Sequence, residues 1–474
     1  MSKESVYLSH MAGDKRVRIT FCGGAGTVTG ANFLLEAVEP GSPKILVDCG
    51  MLQGPKVADD PNYRPFPYNP AEIKALFITH AHLDHVGRIP KLVRDGFRGA
   101  IYSTPPTKEI AALSLEDSLG VLSKEAGANN HPPLYEKKDI ELALSLWQTY
   151  EYHETIEVGT VGQGGFQVKL FDAGHILGST MYEFSYNGRR ILFTGDLGNS
   201  PAPLLRDTEV ITNADYLIIE SVYGDRNHED RSMRLEKLED VIENTMKSGG
   251  TLIIPAFSIE RTQEMLYEIE RMMEESRIPF VPVYIDSPLA IHVTEVYKKY
   301  DNYLNRQVAP TVNGSGGIFA FPQLHQTVTT EESRAIAGMP PRKIIIAGSG
   351  MSNGGRVIHH EKRYLPDPKS ALLLVGYQAA GSLGRQILDG AKSVRILGDD
   401  VAVRAKIMTI SGYSAHKDSQ GLFDFVAHSA DTLKKVFVVM GEPKSSLFLV
   451  QKIRDYLGLD AVAPQAGDSV TTPC

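Results

Sequence analysis

Cysteine is nearly missing from this chain: Cys22, Cys49 and Cys474 are the three in 474 residues. An odd number at such spacing makes no disulfide framework and points to a reducing, cytoplasmic setting. No apolar run approaches membrane-spanning length, and no charged-then-apolar leader opens the chain. Neither a membrane span nor a secretory signal is therefore expected. Excess positive charge is absent too, with a formal net charge of −8. A nucleic-acid partner would have to be met by a local basic patch, since the overall field repels it. Repeats and low-complexity stretches are also lacking. With 42% hydrophobic residues the chain can bury large cores, and its length suggests two or three domains.

Histidine is scarce, 14 residues in all, yet three fall within six positions: His80-Ala-His82-Leu-Asp84-His85. This cluster directly follows the run Ala75-Leu76-Phe77-Ile78-Thr79, so a buried strand ends in a loop bearing four potential ligands. Neutral imidazole and carboxylate suit zinc or a similar divalent ion. The alternation lets His80 and His82 converge on one ion while Asp84 and His85 turn to a second. Two such ions can clamp a phosphate and activate water.

Other polar groups also follow short apolar runs. Lys44 to Val47 leads to Asp48, Phe166 to Phe171 leads to His175, Ile191 to Phe193 leads to Asp196, and Tyr216 to Ile219 leads to Glu220. Strand ends on a rigid frame are where layered α/β folds carry their sites. The stretch Thr107 to Tyr150 reads as mostly helical, with a loop or lid at Asn129-Asn130-His131-Pro132-Pro133. After Asp225, helical spacing at Leu235, Leu238, Val241 and Ile242 opens a second segment. There, short apolar strands near 251–254, 281–285, 343–347 and 371–375 alternate with helices. That pattern predicts a parallel sheet covered on both faces. Strand character resumes at 436–439. The expected arrangement is a metal-binding domain in two parts, 1–224 and 411–474, interrupted by a doubly wound domain over 225–410.

The set Asp48, His80-x-His82-x-Asp84-His85, His175 and Asp196 resembles the metallo-β-lactamase superfamily. Glu220 in Ile-Ile-Glu-Ser-Val-Tyr-Gly and His416 in Tyr-Ser-Ala-His-Lys-Asp resemble further motifs of its β-CASP nucleases, especially the RNA-processing branch that includes the polyadenylation-cleavage endonuclease. Pro255 to Arg261, Asp286 to Ala290 and Gly348 to Gly355 fit the same group. The resemblance spans nearly the whole chain. It implies an α/β architecture: a metallo-β-lactamase αββα sandwich with an inserted doubly wound β-CASP domain.

Carried over by position, the resemblance makes His80, His82 and His175 ligands of a first ion and Asp84 and His85 ligands of a second. Asp196 bridges both, and Asp48 orients a ligand histidine. The ions would be two Zn2+, with Mn2+ as a substitute. The implied activity is endoribonuclease, with exonuclease activity within the family's range, on single-stranded RNA. Asp84, His416 and Glu220 would carry the chemistry, His416 as hydrogen-bond or proton donor and Glu220 as its orienter. A homodimer is also among the implications.

One position departs from the pattern. Where RNA-cleaving members have His-Gly-Glu, this chain reads Met440-Gly441-Glu442. A thioether is a weak, neutral zinc ligand, so the second ion is expected to bind more weakly. Artemis-like DNA nucleases lack that histidine as well, which keeps a DNA substrate as an alternative. A catalytically silent scaffold and a small-molecule hydrolase are disfavoured by the complete ligand set and by the inserted domain. The nucleic acid is expected between the two domains. Candidate contacts are the Gly-rich loop at Ser349, Gly350, Met351 and Ser352, and the guanidinium forks of Arg261, Arg356 and Arg385. Gly376-Tyr377-Gln378 also looks like the RNA-processing branch.

Overall fold

A computed structural model describes residues 15–53, 60–128, 132–160, 162–229, 233–306, 308, 317–376, 378 and 381–474. Residues 129–131 of the loop expected at 129–133, and Tyr377, lie outside them. The chain divides into two compact units: residues up to 200 with 207–227 and 416–474, and residues 201–206 with 228–415.

The first unit holds two seven-stranded sheets. One runs in the order Ser469–Pro473, Arg16–Gly23, Asn32–Ala37, Lys44–Val47, Ile73–Phe77, Ala100–Ser103 and Trp147–Thr149. The other runs Ala461–Val462, Lys435–Val439, Tyr216–Glu220, Arg189–Phe193, Thr180–Tyr186, Phe166–Asp172 and Thr155–Val158. Arg16–Gly23 alternates between buried and open positions, as a strand with one packed face must. Tyr216–Glu220, flanked by parallel neighbours on both sides, is buried throughout.

Inner faces of the two sheets interlock. Phe21, Phe33, Val47 and Phe77 of one meet Tyr182, Phe184, Phe193 and Phe437 of the other. Phe184 lies 5.2 Å from Phe77 and 5.5 Å from Phe193 between ring centroids. Truncating such a ring to alanine costs about 3–5 kcal/mol. Helices Ser419–Ala427 and Pro443–Leu457 cover the outer face of the second sheet through Leu422, Phe425, Leu449 and Ile453. Helix Pro105–Ala128 lies against the end of the first through Trp147.

The helical stretch expected up to Tyr150 stops short. Helix Lys137–Ser145 gives way to strand Trp147–Thr149, which pairs with Ala100–Ser103. Trp147 donates its indole N–H to Ser103 Oγ at 2.8 Å, which fixes the edge strand.

The second unit is built on a six-stranded sheet in the order Leu324–Gln326, Val283–Ile285, Ile344–Ala347, Leu252–Pro255, Ala371–Leu374 and Lys406–Thr409. Every pairing is parallel. Residues 201–206 belong to this unit, outside the expected 225–410. Leu205 bridges Leu304, Asn305 donates its backbone N–H to Leu204, and Arg206 holds the Asn302 and Leu304 carbonyls. Among the described residues no helix is long and apolar enough to cross a membrane.

Candidate metal centre

Three strand ends of the first unit bring the expected ligands to one point. Ile73–Phe77 leads to Thr79 and His80, and a four-residue helix, Leu83–Val86, then carries Asp84 and His85. Phe166–Asp172 leads to His175, and Arg189–Phe193 to Asp196. Two glycines let these loops touch. A Cβ on Gly50 would fall 1.6 Å from the Asp84 carbonyl oxygen, and one on Gly195 (φ +55°) 2.6 Å from the Thr79 side chain. Any larger residue would push the ligand loops apart.

His80, His82, His175 and Asp196 converge with ligand atoms within 4.8 Å of one another. His80 Nε2 lies 3.0 Å from His82 Nδ1, and Asp196 Oδ2 lies 3.5 Å from His80 Nε2 and 3.7 Å from His175 Nε2. His85 Nε2 is 3.5 Å from the same Asp196 oxygen and 3.9 Å from Asp84 Oδ2. Both His85 Nε2 and Asp196 Oδ1 are buried without a hydrogen-bond partner. Orphaned buried polar atoms are costly, and a cation would satisfy both. The donor set of imidazoles and a carboxylate therefore fits a divalent metal.

Electrostatics agree. Burial, reinforced by the neighbouring His85, pushes the His80 imidazole well below its usual pKa, and burial brings His82 down to about 3. Burial opposes ionisation of Asp196, but the imidazoles of His85, His80 and His416 outweigh it and hold the carboxyl well below the usual range. Neutral His80 and His82 beside an ionised Asp196 are states a metal requires. At His85, by contrast, burial is overcome by Asp196 and Asp48, which hold its imidazole well above the usual pKa, so an ion there would displace a proton. Asp84 is raised to about 6 by burial and by Asp196, against the pull of His85.

Asp48 lies behind these ligands. Its Oδ1 accepts the Thr79 amide at 2.8 Å, and its Oδ2 accepts the Thr79 hydroxyl at 2.8 Å and faces His85 Nδ1 at 2.7 Å. Thr79 Oγ1 also lies 3.1 Å from His80 Nδ1. Thr79 thus links Asp48 to His80 and, at 3.3 Å, to His85, two of the expected ligands. Read as the last residue of an apolar run, it was missed as a site residue; its one sequence signal is a hydroxyl next to His80.

Beside the ligands, Glu220 and His416 pair through Oε1 and Nδ1 at 3.1 Å although 196 residues separate them. Glu220 Oε1 also accepts the Leu197 amide at 2.8 Å. Burial favours neutral His416, but Glu220 and Asp196 overcome it and hold the imidazolium up to about 9. His416 Nδ1 is 4.0 Å from Asp196 Oδ2.

Met440 is buried and belongs to the inter-sheet core. It also lines a cavity of about 10 Å³ with Asp48, Thr79, His85 and Gly195. Its sulfur packs on Gly24, where a Cβ would come within 2.6 Å.

The expected substrate contacts all belong to the second unit, and most are engaged in its interior. Arg261 is buried and ion-paired with Glu264. Arg356 donates to Asp286 Oδ1 and to the Thr327 and Val328 carbonyls, each at 2.8 Å. Neither presents an open guanidinium fork: Arg261 is buried against Glu264, and a carboxylate and two carbonyls hold both terminal nitrogens of Arg356. Arg385 is the more open of the three and pairs with Asp389 at 2.9 Å. In the glycine-rich loop, Ser352 is buried and donates to Glu361 at 2.5 Å, and the Gly350 carbonyl accepts Gln378 at 2.9 Å. The Met351 carbonyl accepts the Gly384 amide at 3.2 Å, and Ser349 Oγ accepts the Asn353 amide at 3.1 Å.

Comparison with known proteins bears on this geometry. Residues 33–243 match the model of the metallo-beta-lactamase superfamily, 262–387 that of the Beta-Casp domain, and 400–464 that of a Zn-dependent metallo-hydrolase RNA specificity domain. "Ribonuclease TTHA0252" of Thermus thermophilus is 36% identical over 91% of this chain and 95% of its own length. "RNase J-like protein" of Methanocaldococcus jannaschii is 33% identical over 91% and 94%. "Transcription termination factor FttA" of Pyrococcus horikoshii is 32% identical over 96% and 71%. A crystal structure of a protein of unknown function from Enterococcus faecalis shares the fold, with a TM-score of 0.56 at 13% identity over 96% of this chain and all of that one. The chain belongs to the metallo-beta-lactamase superfamily, in the RNA-processing branch of its β-CASP group, and is a metal-dependent hydrolase.

Proposed function

We propose that this chain is a zinc-dependent ribonuclease that hydrolyses internal phosphodiester bonds of single-stranded RNA. One observation carries the reading: a buried cluster of imidazoles centred on Asp196, with orphaned donor atoms, lies beside the Glu220–His416 pair. The relatives named for ribonuclease activity and the match to an RNA specificity domain support RNA as substrate.

His80, His82, His175 and Asp196 would hold one ion, and Asp84, His85 and Asp196 a second. Bound divalent ions supply Lewis acidity at the phosphoryl oxygens and bring the pKa of water toward neutrality. The chain's own groups do the rest. Asp48 fixes the His85 ring so that Nε2 faces the centre. Glu220 holds Nδ1 of His416, so the protonated ring can give a hydrogen bond to a phosphoryl oxygen and a proton to the leaving 3′-oxygen. A donor whose pKa lies near 9 is still protonated at neutral pH. Met440 brings only a thioether to the cavity it lines with Asp48 and His85, so the second ion would be held more weakly than the first.

The test uses end-labelled single-stranded RNA and DNA of matched sequence, with zinc or manganese, and a His82→Ala variant. RNA cleavage that is lost in the variant supports the reading. Cleavage of DNA alone, or of neither strand, overturns it.

A further inference from the structure

We propose that Phe257 is a stacking platform for an unpaired base of the substrate, at the carboxyl edge of the parallel sheet. The inference rests on the ribonuclease reading and adds a contact to it.

Strand order locates the position. Leu252–Pro255 and Ile344–Ala347 are neighbours in the sheet. The chain leaves the first through helix Arg261–Glu274 toward Val283–Ile285 on one side. It leaves the second through helix Val357–Tyr364 toward Ala371–Leu374 on the other. Right-handed crossovers in opposite directions put the two helices on opposite faces of the sheet. A crevice opens between the carboxyl ends of two such strands, and ligands of open α/β sheets bind there.

Phe257 stands at that point, two residues past Leu252–Pro255. All four residues of the strand are buried and Ala256 is 1% exposed, yet Phe257 is 44% exposed. Its surroundings keep it open. A Cβ on Gly350 would fall 2.9 Å from the ring, and one on Gly376 3.9 Å. The ring thus rests on the backbone of the loops that follow the two adjacent strands, and neither glycine has a side chain to cover it.

Two hydroxyls stand at the same carboxyl edge of the sheet. Ser258 Oγ and Ser287 Oγ lie 3.1 Å apart at the ends of two strands, both partly exposed. A Cβ on Gly348 would come within 3.6 and 3.7 Å of them. An exposed ring with hydroxyls at the same sheet edge suits a nucleotide, whose base stacks while its ribose and phosphate take hydrogen bonds. Stacking needs a π-face and not a particular edge, so this contact demands a base without reading which one.

The experiment compares wild type, Phe257→Ala and Phe257→Trp on a set of single-stranded RNAs, each with one abasic position, using the full chain with zinc or manganese. Phe257→Ala is expected to lower kcat/KM on intact RNA about five- to hundred-fold, mainly through KM. Phe257→Trp retains the wild-type value, and thermal unfolding of both variants matches wild type. One abasic position lowers the wild-type rate and leaves that of Phe257→Ala unchanged. If Phe257→Ala cleaves every RNA like wild type, or its loss is the same with the base present or absent at every position, the platform is overturned. An inactive wild-type chain overturns instead the ribonuclease reading, and this inference with it.

Discussion

His85 turns Nδ1 to Asp48 Oδ2 at 2.7 Å and leaves Nε2 buried with no hydrogen-bond partner. The carboxylate and the orphaned nitrogen are two ends of one device: Asp48 sets the ring, and the ring offers its other nitrogen to the centre. Asp48 itself has a left-handed backbone, φ +60°, and both its oxygens are engaged. Asp48→Asn keeps the shape and an acceptor for the Thr79 amide but removes the charge that polarises His85. Ion affinity should fall about 10- to 100-fold with the fold intact. Competition against a chelator measures this, and unchanged affinity would show that Asp48 only braces the loop.

Met440 lines the same cavity as His85 and Asp48. Met440→His puts an imidazole where a thioether now stands. At limiting zinc, the ion content per chain should rise from near one toward two, with RNA cleavage equal or higher. Elemental analysis after dialysis reads the first and the cleavage assay the second. A sharp loss of cleavage would mean that the methionine has a role beyond filling the core.

How much of this was legible in the sequence depends on distance along the chain. His80, His82, Asp84 and His85 lie within six residues, so donor chemistry marked them out as candidates, while His175 and Asp196 follow apolar runs but became expected ligands through resemblance. Glu220 and His416, 196 residues apart, came only through resemblance. Arg356 was read as a phosphate partner because Asp286, which holds it, is 70 residues away. For Arg261 the nearby partner was in view, since Glu264 stands one helical turn on. Trp147–Thr149 passed for helix because three residues show no period and their pairing with Ala100–Ser103 is non-local. Exposure of Phe257 could not be read at all, since a phenylalanine after an apolar strand looks like core.

The Glu220–His416 pair predicts a pH profile. Glu220 holds the His416 pKa up against burial, to about 9, and the protonated ring is the active form. Activity should therefore fall as pH rises through that pKa. A cation on Asp196 cancels one of the charges that raise it, so the alkaline limb of kcat/KM falls at or below pH 9. In Glu220→Gln the largest of those charges is gone, and the limb should move to lower pH, with a loss of about 10²-fold or more at pH 8. An alkaline limb at the same pH in both proteins would remove His416 from the proton transfer.

A second titration lies in the other unit. Glu260 stands at the start of helix Arg261–Glu274 with a left-handed backbone, φ +67°. Burial first and the charge of Glu264 second raise its pKa to about 8, although Tyr297 donates to it at 2.5 Å. Unfolded, the group titrates near its ordinary 4.5. Between these values the folded chain keeps a proton that the unfolded chain has released. Stability therefore declines as pH rises from about 4.5 to about 8, by about 1.4 kcal/mol per pH unit, and is level above that. Glu260→Gln keeps an acceptor for Tyr297 and has no proton to lose. Urea unfolding at pH 5, 6.5, 8 and 9 should show the variant gaining on wild type across the window and holding a constant advantage above it. Parallel stability curves would mean that Glu260 ionises in the folded chain as readily as in the unfolded one.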